Sequence, residues 1–195
     1  MQPPEKTHHV TDIDTLKALG HPLRIKLYTA LYVAGTATAS QLADQVDEAV
    51  SLVSYHLRKL AAHGIIEEAP TRGDARERWW QATSTVISTR DQDWRDAPER
   101  TAVHTAVSRE YARQRTEMYE SYLDAKPAWG DEWRNVAFSS GYLLSLTAGE
   151  LGELRDELNE LLGKWRERGN AAREAGETDG RENVAVNTYG FPFRT

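Results

Sequence analysis

The stretch Ser51-Leu52-Val53-Ser54-Tyr55-His56-Leu57-Arg58-Lys59-Leu60 decides the fold of this chain. Its apolar residues recur at helical spacing and form one docking side, which consists of Leu52, Val53, Leu57 and Leu60. No Asp or Glu occurs within residues 49–64, so the opposite side is polar or basic throughout. An amphipathic helix without carboxylates on its polar side is typical of a helix that lies in the major groove of DNA.

The polar side of this helix supplies the first candidate DNA-binding residues. Short polar side chains suit base edges, whereas Arg and Lys suit phosphates. The predicted contacts are Ser51, Ser54, Tyr55, His56, Arg58 and Lys59, with His56 near the boundary between the two sides. The alternative is an ordinary amphipathic helix whose basic side faces solvent. That alternative would be favoured for a helix that stood alone in the sequence, without a capped helix before it and a basic hairpin after it.

The residues before Ser51 predict three further helices. The first begins after Asp12 and the second at Pro22, a residue favoured at the first helical position. Thr38 and Gln41 stand three residues apart as a capping box, which predicts the start of a third helix. Ser40 and Gln41, at the start of that helix, join the candidate DNA contacts.

After Gly64 the sequence changes to strand periodicity. Residues 65–68 and 78–82 predict two strands, and the turn-rich residues 70–76 lie between them. The hairpin contributes three candidate contacts to DNA, namely Arg72, Arg76 and Arg78. Helices followed by a basic hairpin predict a winged helix-turn-helix over residues 12–83, in a mainly α fold with a small β-wing.

These motifs together resemble the ArsR-type winged-helix transcriptional regulators of bacteria. The resemblance is carried by residues 19–27 (LGHPLRIKL), 39–43 (ASQLA), 51–60 and 64–66 (GII). It implies DNA contacts from the recognition helix and the wing arginines, and a homodimer built from the first helix and the helix after the wing. Founding members of that family sense metals through cysteine, and this chain has none. We therefore expect no regulatory metal and no cofactor.

The helix after the wing is predicted at residues 98–126, joined to the wing by residues 84–97. The resemblance implies that the apolar residues of this helix and of the first helix form the dimer interface, which comprises Ile13, Leu16, Val103, Val107, Tyr111, Met118 and Tyr122. His104 and Glu110 lie six residues apart on different faces of the helix, which does not favour a metal site.

Residues 127–195 predict an α+β region for dimerisation or effector binding. Short strands are expected at residues 136–138, 142–146 and 183–189, around a helix at 147–168 that opens on a second capping box, Thr147 and Glu150. Residues 1–11 and 170–182 are expected to be flexible. The aromatic residues of this region fill either a small core and dimer interface or a pocket for a small apolar effector, lined by Trp129, Trp133, Phe138, Tyr142 and Trp165.

Composition narrows the function. The net charge of −6 argues against DNA binding, but residues 1–83 carry nine basic and ten acidic residues, so most of the acidity lies elsewhere. No phosphate loop, nucleophile elbow or zinc-protease motif is present, so we expect no enzyme. No apolar run is long enough to span a bilayer, which favours the cytoplasm.

We expect a homodimeric repressor that binds an inverted-repeat operator in double-stranded DNA; the alternatives are a protein–protein interaction module and a regulator that responds to a small molecule.

Overall fold

The computed structural model describes residues 7–70, 77–83, 86–88 and 91–194. The chain divides into two compact units, Met1–Ala125 and Lys126–Thr195. Among the helices in these described ranges, none combines the length and the apolar character that crossing a membrane requires.

Four helices form the first part of Met1–Ala125: α1 (Ile13–Leu19), α2 (Pro22–Ala34), α3 (Ala39–Val46) and α4 (Val50–Ala62). Asp12 caps α1 by accepting a hydrogen bond from the Thr15 N–H at 2.8 Å. Pro22 starts α2, and the predicted capping box of Thr38 and Gln41 opens α3. The four predicted helices are therefore confirmed, with their starting signals in place.

Three short strands form an antiparallel sheet in the order β2–β4–β3: β2 (Thr36–Thr38), β3 (Ile66–Glu68) and β4 (Trp79–Ala82). The predicted hairpin is confirmed as β3 and β4, with Glu68 opposite Trp80. Strand β2 was not predicted, because three residues are too few to show an alternating pattern. The three helices α2–α4 and this sheet make a winged helix-turn-helix.

Two further strands change the interpretation of the segments on either side of the wing. Strand β1 (Thr7–His9) pairs in parallel with β5 (Val86–Ser88), and a 3-10 turn follows at Asp91–Trp94. The structure thus differs at residues 7–9 from the flexible tail expected at 1–11, and at residues 86–88 and 91–94 from the plain connection expected at 84–97. Residues 1–6, 84–85 and 89–90 lie outside the described residues. The two strands pair the backbone groups of their facing edges, and no local pattern reveals a partner so distant in sequence.

Helix α5 (Pro98–Ala125) contributes to the same core as the four helices before it. Val107 is buried, and Val103 and Tyr111 pack against the core from the same side of α5. Burial raises the pKa of the Tyr111 phenol to about 12. Gly20 permits the close approach of α5, since a Cβ at this position would lie 2.6 Å from Cγ2 of Val107.

This packing corrects the assignment of two predicted dimer-interface residues, Leu16 and Val107. Leu16 and Val107 are buried within the core of one subunit, whereas Ile13, Val103 and Tyr111 pack against that core and are only partly buried. An apolar stripe looks the same in sequence whether it packs within a chain or between chains, which explains the error. Five predicted interface residues are not fully buried and so stay candidates for the interface: Ile13, Val103, Tyr111, Met118 and Tyr122.

Lys126–Thr195 contains a 3-10 turn at Lys126–Ala128, helix α6 (Asp131–Val136) and helix α7 (Ala148–Glu174). The predicted capping box of Thr147 and Glu150 is confirmed. The three strands expected at 136–138, 142–146 and 183–189 are wrong, because residues 137–147 and 175–194 contain no strand. An alternating stretch becomes a strand only where a partner strand pairs with it.

Helix α7 also runs past its predicted end at residue 168 and includes Gly169. A single glycine inside a helix costs only about 1 kcal/mol relative to alanine. Favourable residues follow at 171–174, and the helix ends near Gly176, whose φ is 77°. Part of the segment expected to be flexible at 170–182 is therefore helical.

Candidate DNA-binding surface

Helix α4 presents its predicted polar side to solvent, but its buried side includes His56 in place of Leu52. Ser51, Tyr55, Arg58 and Lys59 are exposed, and Ser54 is half-buried. The buried side consists of Val53, His56, Leu57 and Leu60. Leu52, predicted to dock inward, is 39% exposed. The helix is thus rotated slightly from the orientation expected, while its carboxylate-free side remains accessible.

His56 is not part of the exposed surface, which corrects its assignment as a DNA contact. Only 4% of the residue is exposed, and its Nδ1 accepts a hydrogen bond of 3.2 Å from Nε of Arg24. The His21 ring lies 4.4 Å from the His56 ring, centroid to centroid. Burial lowers the pKa of His56, and the charges of His21 and Arg24 lower it further. A signal was present in the sequence, since positions 53, 56, 57 and 60 form one helical stripe.

Contacts within α4 orient its long polar side chains. Nε of Arg58 donates to the carbonyl oxygen of Ser54 at 3.1 Å, which directs the guanidinium back along the helix. Nζ of Lys59 lies 5.8 Å from the centroid of the Tyr55 ring. These contacts hold the two cations on the exposed side of the helix.

A cleft of about 410 Å³ brings together candidate residues from three elements. Ser40 from α3, Ser54 and Arg58 from α4, and Arg78 from the wing all line it. Gln41 is exposed beside them, but its Oε1 accepts from the Thr38 N–H at 2.9 Å and so maintains the cap. The structure thus gathers four predicted contacts on one concave surface. Arg72 and Arg76 lie outside the described residues.

The wing adds residues that were not among the predicted DNA contacts. Trp80 lines the same cleft, and the guanidinium of Arg78 lies 5.7 Å from its ring centroid. Nε of Arg78 is also 3.1 Å from Oε1 of Glu68, and Glu77 lines the cleft nearby. The carboxylate of Glu68 offsets part of the positive charge that Arg78 would offer to a phosphate. The signal for Trp80 was its place in a strand beside a basic hairpin tip.

The predicted effector pocket is not formed by the aromatic residues of Lys126–Thr195. Trp129 and Trp133 contact each other edge to face, with ring centroids 6.4 Å apart. Phe138 and Tyr142 are 77% and 78% exposed, and Trp165 is 60% exposed. A pocket must surround its ligand, and side chains this open to solvent enclose no cavity.

No group of three or more His, Asp or Glu side chains in the described part of the chain is arranged to hold a metal ion. His104, considered in the sequence as a ligand, stacks on Trp94 at a centroid distance of 5.9 Å. Glu110 is engaged elsewhere on α5, where its Oε1 accepts from Nε2 of Gln114 at 3.1 Å. The two side chains thus make separate contacts, as their spacing indicated.

Comparisons with known proteins address this part of the chain. Residues 19–69 match the family model described as a helix-turn-helix domain. No curated protein sequence matches the chain.

Several solved structures align with the chain at low similarity. A mutant of MarR from E. coli, complexed with operator DNA, is 14% identical with a TM-score of 0.31, over 76% of this chain and 85% of that one. A mutant of ZitR from Lactococcus lactis, in apo form, is 16% identical with a TM-score of 0.30, over 70% and 83%. Likenesses of this size do not indicate what the chain binds. The family match and the geometry agree that residues 19–69 form a helix-turn-helix domain, and the sheet β2–β4–β3 makes it a winged one.

Proposed function

We propose that this chain is a sequence-specific transcription regulator that binds double-stranded DNA through α4 and the wing. The observation that carries the proposal is the exposed side of α4, which contains no carboxylate and faces a cleft lined by Ser40, Arg58 and Arg78. A winged helix used for protein docking has no need of such a side. The resemblance of residues 12–83 to ArsR-type regulators supports the same function.

In this proposal α4 enters the major groove. Ser51, Ser54 and Tyr55 face base edges, and Arg58 and Lys59 reach the flanking phosphates. Ser40, at the start of α3, lies beside the same backbone, where helix N-terminal N–H groups favour a phosphate. Arg78, with Arg72 and Arg76 of the hairpin tip that the sequence predicts, contacts phosphates or the adjacent minor groove.

We further propose that the protein acts as a homodimer on an inverted-repeat operator and represses by occluding the promoter. Two half-sites on one side of the duplex, about one helical turn apart, suit a dimer with two-fold symmetry. The second half of α5 offers an interface, because Met118, Tyr119 and Leu123 are exposed there. A small-molecule effector remains an alternative trigger, at a site other than the open aromatic residues. Such a regulator would act in the cytoplasm, on the bacterial chromosome.

A salt titration of DNA binding tests the proposal. The full chain is mixed with random duplex DNA, the bound sequences are selected, and the affinity for the selected duplex is measured at several salt concentrations. Replacing Arg58 with Ala removes one phosphate contact, so the slope of log K against log salt should become shallower by about 0.9. The affinity should fall for all sequences alike, because phosphate contacts carry no sequence information.

The control is Arg134→Ala, which removes the same charge from an exposed position on α6. It should leave both affinity and slope unchanged. If no duplex is enriched, or if the Arg58 and Arg134 variants bind alike, α4 does not bind DNA and the protein-docking alternative gains support.

A further inference from the structure

Helix α7 carries an apolar stripe that the described residues of its own unit do not cover fully. Leu151, Leu154 and Leu158 are only half-buried, while Leu161 and Trp165 are 51% and 60% exposed. Within Lys126–Thr195, no other described helix packs extensively against α7. The five side chains recur in alternating three- and four-residue steps, which places them on one face of the helix. An exposed face of this kind marks an interaction surface.

Charge is distributed unevenly along α7. Residues 148–161 contain five acidic residues and one basic residue, a net charge of −4. Residues 162–174 contain four basic and two acidic residues, a net charge of +2. The helix therefore has an acidic N-terminal half and a basic C-terminal half.

We propose that α7 pairs antiparallel with the same helix of a second copy of the chain. The antiparallel orientation sets the acidic half of each helix against the basic half of the other, whereas a parallel pair would align like charges. The inference does not rest on the proposed function, and it identifies a surface separate from α5.

The spacing of the apolar residues fixes the register of the pair. Leu158 lies against the partner's Leu161, and Leu154 lies against the partner's Trp165, so four layers of large apolar side chains meet at the centre. In this register Glu157 flanks the seam opposite the partner's Lys164, and symmetry repeats the ion pair. Within one helix, Nζ of Lys164 is 2.7 Å from Oε1 of Glu160, so this lysine already pairs with a carboxylate of its own helix. The centre of the pair falls between Asn159 and Glu160.

A distance between spin labels tests the orientation directly. The chain contains no cysteine, so the variant Asn170→Cys carries a single label on the full-length protein. In the antiparallel register the two labels are about 21 residues apart along the helix axis, and a separation of about 35 Å is expected. A parallel pair would place them side by side, within about 20 Å. The short distance, or no defined distance, would overturn the proposal.

Charge reversal tests the register. Glu157→Lys and Lys164→Glu, each made in the labelled chain, should weaken the pair about tenfold and reduce the population at the long distance. An equimolar mixture of the two variants restores both ion pairs across the seam and should recover that population. The control is Glu153→Lys, an equal change of charge on the far side of the helix, which should leave the distance intact.

Two outcomes contradict the register. One is an equal effect of Glu153→Lys and Glu157→Lys, and the other is a failure of the mixture to recover the long distance. Arg58→Ala should leave the label distance unchanged, so a failure of the DNA-binding proposal and a failure of this one are distinguishable.

Discussion

Arg24 on α2 and His56 on α4 are joined by a hydrogen bond of 3.2 Å from Nε of the arginine to Nδ1 of the histidine. The same guanidinium donates from Nη1 to the carbonyl oxygen of Ala18 at 3.0 Å, near the end of α1. One side chain thus links α1, α2 and the buried side of α4. The bond requires a neutral His56 with its proton on Nε2, because a protonated imidazole has no acceptor.

This arrangement makes the stability of the winged helix depend on pH. Burial, His21 and Arg24 lower the pKa of His56, and burial and Arg24 likewise lower that of His21, against an opposing effect of Glu110. The unfolded chain therefore binds more protons than the folded chain just below the ordinary histidine pKa of about 6.5. The free energy of unfolding should be highest above that pH and fall as the pH decreases through the lowered pKa values.

Urea denaturation at about pH 5 and about pH 7.5 measures this difference. The variant His56→Gln supplies an amide oxygen that can accept from Arg24 but does not titrate, so its stability should change less between the two conditions. The lowered pKa values of the Asp12 and Glu110 carboxyls act mainly in a more acidic range, and both carboxyls are present in the His56→Gln variant as well, so the comparison between the two proteins removes their contribution. If the free energy of unfolding of His56→Gln changed between the two pH values as much as that of the unaltered chain, this imidazole would not be the group responsible.

Much of the fold followed from local signals, and the exceptions share a physical cause. Thr38, Pro22 and Thr147 mark helix starts through hydrogen bonds and backbone constraints that act within a few residues. Burial and pairing depend on distant segments, which is why β1 and β5 were missed and the strands expected after α6 were wrong. The exposed polar side of α4 was largely predicted, and His56 was misassigned to it because its polarity outweighed its position in the apolar stripe.

Gly20 provides a test of how closely α5 packs on the winged helix. A Cβ at residue 20 would lie 2.6 Å from Cγ2 of Val107, so Gly20→Ala should destabilise the chain by about 1–3 kcal/mol through overpacking. Val107→Ala removes the methyl group involved, and the double variant should therefore be more stable than the sum of the two single changes predicts. Thermal or urea denaturation of the unaltered chain, the two single variants and the double variant gives the coupling free energy between the two positions. Additive effects would mean that the two side chains do not meet.

The pair of Arg78 and Glu68 sets the charge of the wing. Their side chains are 56% and 59% exposed, so breaking the pair should change stability by less than about 1 kcal/mol. Glu68→Gln removes the carboxylate beside Arg78, and non-specific duplex binding should tighten severalfold at low salt and become more sensitive to salt.

The matched control is Glu67→Gln, which makes the same change one residue earlier, on the other face of the strand. Its carboxylate accepts from Nε2 of Gln81 at 2.9 Å rather than pairing with Arg78. We expect Glu67→Gln to tighten non-specific duplex binding less than Glu68→Gln does. Equal tightening by both variants would assign the effect to net charge and not to the release of Arg78.

The exposed end of α5 is the surface on which the proposed homodimer can be tested. Met118, Tyr119 and Leu123 are exposed on this helix although the residues before them pack into the core. A chain truncated after Ala125 keeps the whole of the first compact unit and lacks α7, so any dimer it forms arises from the winged helix and α5. We expect this shortened chain to be dimeric by sedimentation equilibrium.

Leu123→Glu in the shortened chain should weaken the dimer at least about tenfold, because it places a charge within an apolar contact. Ser121→Glu introduces the same charge two residues away, on the opposite side of α5, and should leave the dimer intact. Since both positions are exposed in the single chain, neither change should lower the melting temperature of the fold. A monomeric shortened chain would mean that α5 does not join the subunits, and the pairing of α7 would then be the contact left to join two copies of α4 in the proposed dimer.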